Sequence, residues 1–173
     1  ELMVGSDWLN NPNASQKEYL DTESIYRLFV YENYQTVDKG LEKTISQLFD
    51  QDDFENTGIY SVCQHIRDTM TSYLKYDDQI SDKNSLKDFL NQKTAGNDVL
   101  FSTVAVEAFR YYDIPARYVE GYYLKNDAID DEGNATLTSK DGHAWVEVYF
   151  DGMGWLPIDV TPGYYYDVYT LMN

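Results

Sequence analysis

The sequence is poorest in the residues that do redox and metal chemistry. It has one cysteine, Cys63, so no disulfide can close within the chain. It has two histidines, His65 and His143. Positive charge is scarce too: Lys plus Arg number 13 against 30 Asp plus Glu, a formal net charge of −17. Such a surface repels nucleic acid and anionic membrane, and no basic patch interrupts it, so neither is an expected partner. Solubility is the simplest use of the excess; attraction of a basic partner is the rarer one. No apolar run approaches the roughly 18 residues that a membrane span needs. The sequence opens on Glu1 rather than Met, which is expected of an excised or processed piece of a longer parent. A single thiol fits the cytosol and extracytoplasmic compartments equally.

What is present suffices for one domain. The chain has 173 residues, 43% of them hydrophobic, enough to bury a core and too many for disorder. Residues 1–16, punctuated by Asn10-Asn11-Pro12-Asn13, read as an irregular lead-in or linker remnant. Residues 17–173 read as a single domain, helical over 17–112 and sheet-forming over 115–173. Thr22 is placed to cap a helix over Glu23 to Tyr34 that turns Ile25, Leu28 and Phe29 inward. A second helix is expected over Val37 to Phe49, followed by an acidic loop from Gln51 to Gly58. Ile59, Val62, Cys63, Ile66, Met70, Tyr73 and Leu74 follow the i, i+3, i+4, i+7 rule of a third helix. Cys63 lies on its buried stripe with no basic group on that face to activate it, which is the setting of an inert core thiol. His65 points elsewhere, so the two make no metal pair.

Gly96-Asn97-Asp98 opens a mostly apolar helix that ends at Ile114-Pro115-Ala116-Arg117, and a strand leaves from Tyr118 to Leu124. The free N–H groups and positive dipole end of a buried helix favour an anion, and the residue placed there is Asp98. Lys125 to Asp141 is a long polar loop, either a flap over a site or a solvated excursion. His143 to Phe150 alternates: Ala144, Val146, Val148 and Phe150 share one face; His143, Trp145, Glu147 and Tyr149 share the other. The turn at Asp151-Gly152-Met153-Gly154 returns the chain as a strand. Simple pairing across it sets Asp159 within a couple of residues of His143. The aromatic tail, Tyr164 to Asn173, is placed to add an edge strand, and Arg117 and Glu120 to support the exit strand.

Several of these pieces together resemble the bacterial transglutaminase-like superfamily. They are Gly96-x-Asp98 with Phe101, Ile114-Pro115-Ala116-Arg117-Tyr118-Val119-Glu120-Gly121-Tyr122, Gly142-His143-Ala144-Trp145-Val146-Glu147-Val148-Tyr149, and Gly154-Trp155-Leu156-Pro157-Ile158-Asp159. The resemblance runs from about Lys87 to Gly163. It implies an α+β, papain-like fold: N-terminal helices and a buried central helix packed on an antiparallel sheet. It also implies a Cys-His-Asp triad, in which His143 and Asp159 match and Asp98 stands at the Cys position. Trp145 and Trp155 are expected to be core or site-wall aromatics.

A carboxylate is a poor acyl-transfer nucleophile, because attack on an amide would give a mixed anhydride. An Asp98···His143⁺···Asp159 chain is instead a satisfied ion network. The favoured reading is therefore a domain without thiol catalysis that serves as a binding or structural module for a peptide or cell-surface ligand. The alternative is an active transglutaminase or cysteine-peptidase-like acyl-transfer enzyme, with Asp98 engineered or another nucleophile in its place; Ser102 and Thr103, one turn along the helix, have nothing to favour them. A third reading has Asp98, His143 and Asp159 holding a divalent metal. No cofactor is expected. Relatives of this kind are often parts of larger membrane or secreted proteins, which points to an extracytoplasmic, membrane-tethered or secreted setting.

Overall fold

The computed structural model describes residues 11–49, 58–80, 85–124 and 128–164. Five helices precede a three-stranded sheet among these residues: α1 Ala14–Tyr34, α2 Glu42–Leu48, α3 Ile59–Tyr73, α4 Leu86–Leu90 and α5 Asp98–Tyr111, then β1 Ala116–Tyr122, β2 Gly142–Phe150 and β3 Gly154–Ile158. The sheet is antiparallel throughout, in the order β1-β2-β3. This is the α+β, papain-like arrangement expected from the sequence.

α5 is the centre of the molecule. Phe101, Ala105, Ala108 and Phe109 are fully buried, and Val104 and Val106 nearly so. The helix packs on β1 and β2 on one side and on α2 and α3 on the other. Its start is fixed locally. Asn97 caps it, its side chain accepting from the Leu100 N–H at 3.2 Å. Gly96, just before the cap, is required by close packing, since a Cβ there would lie 2.7 Å from the ring of buried Phe89. The Gly96 carbonyl and N–H bond to Asp77 and Lys75, so the segment after α3 anchors the turn.

Two sequence expectations fail at α1. The helix begins at Ala14, well before Glu23 and inside the expected lead-in, because Asn13 and Gln16 form a reciprocal capping box. Thr22 is no cap; its hydroxyl donates to the Glu18 carbonyl. Ile25, Leu28 and Phe29 are 71%, 68% and 50% exposed rather than inward. The opposite stripe docks instead, and largely through polar groups. Glu23 is buried and accepts from the Tyr149 hydroxyl (2.7 Å) and the Gly152 N–H (3.0 Å). Arg27 and Tyr31 reach Asp151, and Tyr26 accepts from the Trp155 indole.

The remaining differences are smaller. Tyr73 is exposed at the end of α3. β1 begins at Ala116 rather than Tyr118. Cys63 is buried as expected, but Arg67, one turn further along, is buried with it and donates to the Asp159 carbonyl. Every described residue from 128 to 140 is exposed. The acidic loop from Gln51, apart from Gly58, and the edge strand expected beyond Tyr164 lie outside the described residues.

Candidate functional site

β2 carries the site on the face opposite its core row. Ala144, Val146, Val148 and Phe150 are buried toward the helices. His143, Trp145, Glu147 and Tyr149 project the other way, as the alternation requires. The register pairs Val146 with Ile158, which sets Asp159 beside Trp145, two residues from His143. Asp98 arrives from a different direction, at the first turn of α5.

These elements bring Asp98, His143 and Asp159 together. His143 Nδ1 lies 3.1 Å from Asp98 Oδ2, and His143 Nε2 lies 2.6 Å from Asp159 Oδ2. Each carboxylate has a second partner. Asp98 Oδ2 accepts from the Ala144 N–H at 2.8 Å, and Asp159 Oδ1 accepts from the Thr161 N–H at 2.8 Å. Only the doubly protonated imidazolium can donate to both carboxylates at once.

The electrostatics agree. Burial by itself lowers the pKa of His143, but the hydrogen bonds to Asp159 and Asp98 and their charges raise it to about 9. Burial would raise the pKa of Asp98, yet His143 and the Ala144 N–H hold it below the usual carboxylate value.

This geometry gives no support to two other readings. The three groups do not converge on one point, because the carboxylates meet opposite edges of one imidazole. Among the described residues no group of three or more His, Cys, Asp or Glu side chains is arranged to hold a metal. A substitute hydroxyl is equally unsupported. Ser102 is fully buried and donates to the Ala144 carbonyl at 2.9 Å, while Thr103 donates to Val99 one turn back.

A cavity of about 250 Å³ opens beside the imidazole. Its walls are Tyr122, Tyr123, Trp145 and Pro157, and its polar groups belong to His143, Glu147 and Asp159. Trp145 is one of the lining residues and Trp155 is not. Trp155 packs on Tyr34 and Tyr149, with the Arg117 guanidinium 4.4 Å from its ring centroid. The reason is distance along β3: four residues separate Trp155 from Asp159, about 13 Å of extended chain. Arg117 in turn pairs with Glu147, its cross-strand partner, through Nε at 2.7 Å, and Glu120 accepts from the Tyr118 hydroxyl.

Four tyrosines at the site were missed in the sequence. Tyr164 stacks on the imidazole with ring centroids 4.2 Å apart, and Tyr123 meets both rings edge-on. Tyr122 helps to wall the cavity. Tyr76 is held above its usual pKa by burial and by the neighbouring Tyr164 and Asp98. With 17 tyrosines in the chain, no spacing marks these four; only the meeting of separate segments does.

The comparisons place this architecture. The profile of the transglutaminase-like superfamily matches residues 45–160, about two thirds of the chain and further upstream than the motifs alone reach. The chain belongs to the transglutaminase-like superfamily. It is 33% identical over 89 residues to the uncharacterized protein YebA of Bacillus subtilis, a stretch covering 49% of this chain and 12% of YebA. The periplasmic domain of TgpA from Pseudomonas aeruginosa, solved bound to ethylmercury, superposes with a TM-score of 0.55 at 21% identity, over 73% of this chain and 46% of that one. A candidate cysteine protease from Cytophaga hutchinsonii gives a TM-score of 0.50 at 20% identity, over 89% of this chain and 44% of that one. The chain therefore spans less than half of each of these proteins. Among the described residues no helix is long and apolar enough to cross a membrane.

Proposed function

We propose that this transglutaminase-like domain lacks thiol catalysis and serves as a binding or structural module for a peptide or cell-surface ligand, outside the cytoplasm. The observation that carries the reading is the double commitment of His143. In a thiol triad the histidine is the cationic partner of a thiolate. Here a carboxylate stands at each nitrogen of His143 and its pKa is raised to about 9, so the imidazolium is held by two anions, neither of which can serve as a thiol nucleophile. Asp98, which occupies the position of the family's cysteine, is the second carboxylate. The only thiol in the sequence, Cys63, is buried in the core and is not part of the constellation. The likeness to a periplasmic domain supports the extracytoplasmic setting.

The test compares the native chain with Asp98→Cys in amine-transfer, peptide-hydrolysis and thiol-alkylation assays. The native chain is expected to show no turnover. The variant is expected to present an alkylatable thiolate at residue 98, because the helix N-terminus and His143 both stabilise that anion. Turnover by the native chain would refute the proposal.

A further inference from the structure

Resting on the reading of a non-catalytic binding domain, we propose that the cavity beside His143 binds a neutral sugar ring. Size and walls supply the first argument. The space of about 250 Å³ lies below the roughly 300–1,000 Å³ of drug-sized sites, so it holds one ring rather than a chain of them. Three aromatic rings, Tyr122, Tyr123 and Trp145, converge on it with Pro157. An aromatic face is the negative side of the ring's quadrupole, and it attracts the polarised C–H bonds that line one face of a pyranose. Trp145 is fixed in place by the sheet: a Cβ on Gly121 would come within 2.6 Å of its Cη2.

Charge supplies the second argument. Asp98, Asp159 and Glu147 bring three negative charges to the site. His143, Arg117 and Arg67, the last donating to the Asp159 carbonyl, return three positive ones. The balance favours neither sign on the ligand, and a charged ligand would lose its hydration with no unpaired counter-charge to receive it.

Unused hydrogen-bonding groups supply the third argument. Trp145 Nε1–H is shielded from solvent and has no acceptor among the described residues, which costs stability unless a ligand brings one. Tyr122 and Tyr123, 59% and 39% exposed, are the movable part of the same wall and can yield to that acceptor. Glu147 spends Oε2 on Arg117, and among the described residues nothing donates to Oε1. The ligand therefore carries an acceptor and a neutral donor on a body with apolar faces. A peptide unit offers both, but extended peptides are read mainly through backbone pairing, and here the main chain is spent. Val146 to Val148 pair on both sides, and the Ala144 N–H and carbonyl serve Asp98 and Ser102. Recognition falls to side chains alone: rings for a C–H face, polar atoms for hydroxyls. A pyranose presents both. An acetamido carbonyl or a hydroxyl oxygen can meet Trp145, and each is a separate arm of the test.

Heteronuclear NMR titration of the native chain measures affinity for two neutral sugars, methyl glucoside and methyl N-acetylglucosaminide. The controls are tetrahydropyran-methanol, which lacks the ring hydroxyls, the cationic methyl glucosaminide, and N-acetylglycine methylamide as a capped peptide unit. At least one neutral sugar is expected to bind about tenfold more tightly than every control, with the indole N–H resonance of Trp145 among the largest shifts. Trp145→Phe keeps an aromatic face and removes the N–H; it is expected to weaken the sugar several-fold and leave tetrahydropyran-methanol unchanged. Tyr123→Leu, at a partly exposed position, is expected to keep the native circular dichroism and weaken the sugar several-fold. Preference for the acetamido sugar assigns its carbonyl to Trp145; preference for the glucoside assigns a hydroxyl. Equal or tighter binding of any control, indifference to Tyr123→Leu, or no binding by either sugar overturns the proposal. These readouts are independent of turnover. Failure of binding in a catalytically silent chain removes this assignment alone, and turnover by the native chain removes the non-catalytic reading whatever binds.

Discussion

The two ends of one sheet face have opposite fates. The row His143, Trp145, Glu147, Tyr149 runs along the outer face of β2. At the Tyr149 end, α1 covers the sheet: Glu23 takes the phenol hydroxyl and the Gly152 N–H, Tyr26 takes the Trp155 indole, and Tyr149 is 1% exposed. At the His143 end no helix among the described residues covers the sheet, and an aromatic-walled cavity opens there. Both ends bury carboxylates, yet to different effect. Glu23 takes its hydrogen bonds from neutral donors, with Arg27 3.8 Å away on the same helix, and fastens that helix. Asp98 and Asp159 bind an imidazolium and hold a charge in place. A buried carboxylate is thus a fastening where its partners are neutral, and a device for fixing a protonation state where its partner titrates.

The comparison breaks most sharply by truncation. Tyr149→Ala removes a fully packed ring and leaves Glu23 without its phenol, so a loss of about 3–5 kcal/mol is expected from urea unfolding. Tyr123→Leu at the open end should change stability by no more than about 0.5 kcal/mol. Equal losses would mean that the two ends are equally structural. An intermediate effect is expected for Gly121→Ala, whose new methyl must displace the indole. The expected cost is about 1–3 kcal/mol, with a shift in tryptophan fluorescence, and an unchanged spectrum would show that the ring is not fixed there.

The pH dependence separates the two ends in another way. The folded pKa of His143, about 9, lies above its ordinary 6.5. Its contribution to stability is therefore full below about 6.5 and fades as pH rises through about 9. Asp98 is held below its ordinary value, so its contribution is present above that value and is lost as pH falls through the lowered one. His143→Gln should flatten the alkaline limb, and Tyr149→Ala should leave the limb's position unchanged. A limb that survives His143→Gln would belong to another group.

The open end was largely legible in the sequence, and the closed end was not. Alternation along β2 and the turn at Asp151-Gly152 bring His143 close to Asp159, because strand period and hairpin register are local rules. The start of α5 at Asp98 is local too, set by Asn97 and the apolar run behind it. α1 defeated the same kind of reasoning because it carries two candidate stripes. The apolar one, Ile25, Leu28 and Phe29, faces out, and the one that docks holds Glu23 and Arg27. Periodicity weighs apolar residues and is blind to a buried carboxylate whose partners, Tyr149 and Gly152, lie more than a hundred residues away. For Trp155 the sequence left core and site wall open, because membership of a matching motif says nothing of how far along the strand a side chain stands; it packs on Tyr34 and Tyr149.

The Ala144 N–H bond to Asp98 gives one oxygen two duties. The oxygen that holds the imidazolium also pins the first turn of α5 to the backbone of β2. A thiolate at the same position would keep the negative charge beside His143, but its larger and softer sulfur would loosen that short hydrogen bond. The seating of the central helix on the sheet and the protonation state of one side chain therefore share a single atom, and a change at residue 98 is felt in both.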